Sequence, residues 1–333
     1  MNKKIVTIAL ACGLFGKILG MESSKEKVGK QSQVDLNAAI IEAAKAAQFE
    51  RVCELHEQGA AIDARDREGN TPLHFAAYRN SEPIARFLLD NNASIHAQGG
   101  KGRVPLHIAA LVGAIHVGPL LLDQKDADID CRDADGNTPL HMAASQNKTD
   151  FMQFLLERNA SFDARDNSQK TVLHHAVQGG PAVIQFVLAR GGAVLNTCDA
   201  NGMSVLHSVV DNEPLVKLLV DGNADVNVLN VNQTSPLHRA AQQGSPETLR
   251  YLIGKGAVVN RQEGDGFTPL VFAVLAGKLE NVTTLLDLGA DATITDRFGL
   301  TALTKLQTIT AIKIDNKKKI EKLLKKAIKN RRK

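Results

Sequence analysis

An all-α repeat solenoid of about nine stacked helix-pair units is the fold this 333-residue sequence predicts, and three observations predict it. First, a hydroxyl-x-leucine-histidine tetrapeptide recurs six times: Thr71-Pro72-Leu73-His74, Val104-Pro105-Leu106-His107 (valine replacing the hydroxyl), Thr138-Pro139-Leu140-His141, Thr171-Val172-Leu173-His174, Ser204-Val205-Leu206-His207 and Ser235-Pro236-Leu237-His238, with the histidines 33, 34, 33, 33 and 31 residues apart. Second, the period continues without the histidine, to Thr268-Pro269-Leu270-Val271 and Thr301-Ala302-Leu303-Thr304. One step of 33 back from His74 reaches Ile41, in a helical-looking run. Third, an apolar content of 44% is enough for a folded array. A sustained period near 33 means one supersecondary unit stacked many times.

The most regular unit runs from Asp133 to Arg165. Asp135-Gly136-Asn137 is a turn signature that supplies a hairpin tip. Thr138 suits an N-cap, because its side chain can satisfy an orphaned helical amide. Pro139 follows at the first helical position, where its missing N–H costs nothing. Leu140, Met142, Ala143 and Ala144 form a short helix, and its small residues let neighbouring units approach. Phe151, Phe154 and Leu155 mark a second helix by their spacing. Asn159 then falls where a left-handed residue is needed, as do Gly59, Asn92, Asn223, Gly256 and Gly289 elsewhere. Two units depart from the pattern. The third carries Gly118-Pro119 within its expected second helix, plus one extra residue around Asp123–Asp126, and local irregularity is expected there. The sixth is two residues short near Asp211–Pro214, so its first helix or the following turn must be clipped.

This pattern resembles the ankyrin repeat, over about 290 residues, with units beginning near 33, 66, 99, 133, 166, 199, 230, 263 and 296. The first lacks the tetrapeptide and the last is degenerate, as terminal capping repeats are. The resemblance implies a structural role for the six histidines, bonded to the cap hydroxyl and to backbone. It also implies that a protein partner docks on the concave face, built from hairpin tips and the exposed side of the first helices. Counting from each cap places Arg67, Glu68, Asn70, Tyr78 and Arg79 on that face, then Lys101 and Arg103, then Asp135, Asn137 and Gln146. Lys170 and Gln178, Asn201 and Met203, Asn232, Thr234 and Gln242, and Phe267 continue it. Small first-helix residues with bulky and charged tips fit protein recognition better than a concave small-molecule pocket. With no tryptophan and two tyrosines, the usual aromatic anchors of an interface are scarce.

The ends differ in kind from the array. Lys3-Lys4 before the apolar run Ile5–Phe15 reads as a signal peptide cleaved after Gly20, and a dozen apolar residues are too few to span a bilayer. The alternative is a weakly membrane-anchored tail. The expected organisation is therefore a signal peptide at 1–20, a linker at 21–36, the array at 37–312 and a basic capping helix and tail at 313–333. The last segment carries a net charge of +9, residues 1–36 carry +3, and the array between them carries −8. Ile320, Leu323, Leu324, Ala327 and Ile328 share one helical face there, which suits a cap. The lysines around them give the rival reading, a footprint for nucleic acid or an anionic membrane. Signal peptide plus repeats resembles proteins of bacteria that live inside eukaryotic cells, where such repeats engage host proteins.

Chemistry finds little support. Successive histidine rungs stand roughly 10 Å apart at helix-packing spacing, too far to share a zinc ion. His174 and His175 are adjacent and point in different directions. Cys131 and Cys198 lie two units apart, beyond disulfide reach, so free thiols are expected. Gly99-Gly100-Lys101-Gly102-Arg103 lacks nucleotide-loop spacing and reads as a flexible tip. Sequons at Asn92, Asn147, Asn159, Asn232 and Asn281 are read as background. The expectation is a monomeric, non-enzymatic scaffold with no cofactor and no small-molecule substrate.

Overall fold

The computed structural model describes residues 32–190, 195–308 and 314–331. The expected signal peptide, most of the expected linker and the last two residues lie outside them. Eighteen helices among the described residues pair into nine units, with no strand. The first helices are Gln33–Lys45, Pro72–Tyr78, Pro105–Val112, Pro139–Ser145, Val172–Gly179, Val205–Ser208, Pro236–Gln243, Pro269–Leu275 and Ala302–Thr308. Each is followed by a second helix: Phe49–Glu57, Glu82–Asp90, Val117–Leu122, Thr149–Glu157, Pro181–Leu188, Glu213–Asp221, Pro246–Gly254, Leu279–Asp287 and Ile314–Arg331.

The cap residues sit in extended backbone (Thr138 at φ −90°, ψ 166°) and hand over to proline or valine at the first helical position. The leucine two residues on points between units: Leu73, Leu140, Leu173, Leu237 and Leu270 are fully buried. Each such burial contributes about 2 kcal/mol. Alanines one turn later (Ala76, Ala109, Ala143, Ala176, Ala240, Ala273) are also fully buried. A larger side chain there would push neighbouring first helices apart.

The tetrapeptide histidine couples one unit to the next. Its Nδ1 accepts the cap residue's backbone N–H at 3.0–3.3 Å in all six copies. In five of them Nε2–H donates to a carbonyl of the following unit at 2.9–3.1 Å: Arg103, Asn137, Met203, Thr234 and Phe267. That donation leaves Nδ1 as the acceptor, so the cap hydroxyl, 2.8–3.0 Å away where one is present, donates to it. Where Val104 brings no hydroxyl, the Cys131 thiol lies 3.8 Å from His107 Nδ1. His141 is the exception at the other nitrogen: its Nε2 closes no bond among the described residues, and its ring packs edge-on to His175 at 4.9 Å.

Two more ladders run parallel. The hairpin tips are joined backbone to backbone, from Ala134 N–H to the Lys101 carbonyl at 2.9 Å through to Arg297 N–H on the Asp265 carbonyl at 3.1 Å. Beside them Arg65, Arg132 and Arg165 each reach 33 residues forward to the carbonyls of Gln98, Arg165 and Cys198 at 2.7–2.9 Å.

The irregular units resolve simply. Pro119 is the third residue of a shortened helix, where its missing N–H is one of the amides a helix leaves unbonded anyway. Asn80 Oδ1 accepts from the N–H groups of His116 and Val117 at 3.1 and 3.2 Å, capping that helix from the preceding unit. A Cβ on Gly118 would lie 2.5 Å from the Phe151 ring, so glycine is what lets the two second helices meet. The extra residue is absorbed where Asp126 turns left-handed (φ 68°). In the sixth unit the clip falls on the first helix, which is four residues long.

The closing helix Ile314–Arg331 lies on Leu279–Asp287 and Ala302–Thr308. Ile320 and Leu324 are fully buried, Leu323, Ala327 and Ile328 are half-buried against the core, and Arg331 pairs with Asp291. Replacing Ile320 and Leu324 together by serine is expected to cost roughly 4 kcal/mol in urea denaturation. Glutamine at Lys325, Lys326 and Lys329, all exposed, is expected to move stability by well under about 1 kcal/mol. An unchanged midpoint in the serine pair contradicts the capping role.

Candidate functional site

Stacking consumes the second helices and the ladders; the tips and the outer side of the first helices are left to face outward. Of the eighteen residues that sequence reasoning assigns to this face, Arg67, Glu68, Tyr78, Arg79, Lys101, Asp135, Gln146, Lys170, Gln178, Asn201, Asn232 and Gln242 are exposed. Asn70, Arg103, Met203 and Phe267 are half-buried. Asn137 and Thr234 are largely buried, both only 7% exposed, though Thr234 still lines a groove across the seventh and eighth units. Each stands immediately before a cap, and its carbonyl takes the ladder histidine of the preceding unit. The Asn137 side-chain amide also donates to Asp133 Oδ2 at 3.3 Å, while its Oδ1 is buried without a partner among the described residues.

Two grooves run between tips and first helices. One crosses the second and third units and is lined by Glu68, Asn70, Phe75, Tyr78, Lys101, Arg103, Ile108 and Leu111, with His74 at its base. The other crosses the seventh and eighth units, between the tip residues Val231, Asn232, Glu263 and Asp265 and the helix residues Arg239, Gln242 and Phe272, with Phe267 beside them. Between the grooves the same positions carry Ser145, His175, Gln178, Ser208 and Asp211, polar but for the buried Met142.

The apolar floors are what sequence reasoning missed. Phe75, Ile108 and Phe272 each follow the tetrapeptide histidine, or the valine that replaces it, as does Arg239; in the fourth unit the same position is the buried Met142. A second signal was phenylalanine itself: Phe75, Phe267, Phe272 and the 64%-exposed Phe298 provide the aromatic surface that tryptophan and tyrosine do not.

Charge is arranged locally. Arg79 Nε donates to the Lys45 carbonyl at 2.6 Å and its guanidinium lies over the Tyr78 ring. Arg103 Nε is 3.5 Å from the buried Asp133 carboxylate. Asp66 is held below the usual carboxylate range: burial pushes it up, but hydrogen bonds from Asn70 and the Glu68 backbone outweigh that. At the other groove Lys305 pairs with Asp296 at 2.9 Å and lies over Phe267. The polar middle holds His175, whose Nε2 is 3.0 Å from Asp166 Oδ2.

Five ladder histidines have both ring nitrogens engaged, which leaves no lone pair for a metal or a proton shuttle. Among the described residues no three His, Cys, Asp or Glu side chains are grouped to hold a metal ion. Burial, with the nearby Asp128 and Asp130 carboxylates, pushes the Cys131 thiol up to about 12, and Cys131 and Cys198 are free thiols. Asn281, one of the sequon asparagines, is 2% exposed and donates to the carbonyls of Ala241 and Gly244 at 3.0 and 3.1 Å.

The fold and this surface define an all-helical repeat scaffold of the class that mediates protein–protein interaction. A family model of ankyrin repeats in three copies matches residues 14–99, 40–133, 106–199, 182–263 and 206–296, and the chain belongs to the ankyrin-repeat family. It is similar to Protein PhlB of Serratia liquefaciens, 41% identical over 89 residues, which is 26% of this chain and 39% of that protein. A putative ankyrin repeat protein of Rickettsia bellii is 31% identical over 77 residues, 23% of this chain and 32% of that one. Palmitoyltransferase ZDHHC13 of Mus musculus is 38% identical over 88 residues, 26% of this chain and 14% of the enzyme. The chain thus spans two fifths or less of each of these relatives.

Proposed function

We propose that this chain is a non-enzymatic scaffold, exported from a bacterium, that engages a protein of another cell through the face formed by its hairpin tips and first helices. The observation that carries the reading is the division of labour along each unit. Ladder histidines, cap hydroxyls and second helices are spent on holding neighbours together, while apolar and charged side chains of the tips and first helices line open grooves. The occupied histidine nitrogens favour binding over catalysis. Export rests on Lys3-Lys4 and the apolar run behind them; protein recovered outside the producing cell should begin near Met21, and an intact Met1 there contradicts cleavage.

Affinity capture with the full chain tests the recognition reading. A discrete partner protein is expected to be retained by a control variant with Arg86→Ala and Arg250→Ala, both exposed on second helices. It should be lost from a variant with Tyr78→Ala and Gln242→Ala on the proposed face. Loss from the control variant, or retention by the face variant, overturns the assignment.

A further inference from the structure

The two grooves differ, and the one across the second and third units has a chemistry of its own. Its floor is apolar: Phe75, Ile108 and Leu111 are half-buried and Tyr78 is 53% exposed. Two cations line it, Lys101 exposed at the third tip and Arg103 behind it; Arg67 is exposed at the second tip next to the lining Glu68, and Arg79 ends the neighbouring first helix, turned back to the Lys45 carbonyl. Against these stands one exposed carboxylate, Glu68; Asp66 is tied into its own turn and Asp133 is buried beside Arg103. This local excess of positive charge lies in an array whose net charge is −8.

The third tip is also built differently. Later tips are joined backbone to backbone, but here the Asn70 side chain accepts Gly100 N–H at 3.2 Å. Lys101 takes a left-handed backbone (φ 61°), which costs a non-glycine residue energy, and Gly102 follows it in the same region. The result is an exposed lysine at the apex of the tip that lines the groove along with the apolar floor residues.

We propose that this groove takes an amphipathic helix of a partner protein, with apolar residues on the inward face and aspartate or glutamate along its flanks. The inference rests on the reading of the tip face as the docking surface and adds the chemistry of the occupant. Charge selects against the chain's own ends, since residues 1–31 carry a net +4 and residues 313–333 a net +9. Spacing suits a helix: adjacent units pack at about 10 Å, and positions i and i+7 of an α-helix are separated by about the same distance. Apolar anchors at i, i+4 and i+7 then reach the Phe75/Tyr78 floor and the Ile108/Leu111 floor together, while acidic flanks meet Arg67 and Lys101.

Selection of displayed random 16-residue peptides on the immobilised full chain tests this, with duplex DNA and anionic phospholipid vesicles assayed in parallel. The expected winners are acidic, carry apolar residues at i, i+4 and i+7, and bind less tightly as salt rises. Tyr78→Ala, and separately Arg67→Glu with Lys101→Glu, should each weaken them at least about tenfold. These are exposed residues, and unchanged circular dichroism confirms that the variants fold. Arg250→Ala, exposed on a second helix, should leave binding intact, and Phe272→Ala tests the other groove. Winners that are basic or lack the apolar spacing, or a selection that enriches nothing, overturn the proposal. Winners lost with Phe272→Ala but not with Tyr78→Ala also overturn it, while keeping the tip face as the docking surface. DNA or vesicle binding that disappears with Arg67→Glu and Lys101→Glu, with no peptide enriched, makes the groove an anion site instead.

Discussion

Acidification from pH 7 to pH 4 is expected to remove several kilocalories per mole from the stability of the stack. Burial holds the ladder imidazoles neutral, pushing His74, His107, His174 and His207 below the ordinary 6.5 and His141 and His238 down to about 4. At His141 the neighbouring His175 adds to the burial effect. At His141 and His238 the unfolded chain takes up protons near 6.5, whereas the folded chain refuses them until about 4. Below 6.5 the unfolded state therefore binds more protons, and stability falls with every step of acid until the folded pKa is passed. His141 and His238 each contribute about 3 kcal/mol over that window, and the other four act in the same direction. Above pH 6.5 the contribution is fully present. Urea midpoints at pH 7, 5.5 and 4.5 should fall steadily; a flat series contradicts the buried neutral ladder.

Leu140→Ala is expected to destabilise the array by about 2–5 kcal/mol, the range for emptying a fully buried leucine site. The effect should also have a particular form. In a stack each unit touches only its neighbours, so weakening the fourth unit loosens the coupling between the units on either side. The urea transition should shift downward and broaden. An unchanged midpoint means that the leucine does not sit between units.

How much of this was legible depends on whether a position answers to backbone geometry or to its neighbours. The repeat period, the caps and the left-handed positions follow from local chemistry, and Asn92, Asn159 and Asn223 have the positive φ that their places demand. The clip in the sixth unit was legible as falling on the first helix or the following turn, and the structure puts it on the helix. The irregularity around Pro119 was legible, though not that Asn80, a side chain from another unit, would set the start of its shortened helix. Asn137 and Thr234 were placed outside because tips are polar; their carbonyls are drawn inward by the preceding histidine and the side chains follow. The groove floors stayed hidden for a related reason. Phe75 and Ile108 sit among buried alanines in sequence, and only the stacking angle turns them toward the groove.

Hydrogen–deuterium exchange on the full chain, alone and with its captured partner, tests the central claim most directly. The account predicts new protection confined to the tips and first helices, centred on residues 66–79 and 99–112. The second helices and the closing helix Ile314–Arg331 should exchange as before. Protection concentrated on the second helices, or on the basic closing helix alone, would contradict the account and give the recognition role to a different surface.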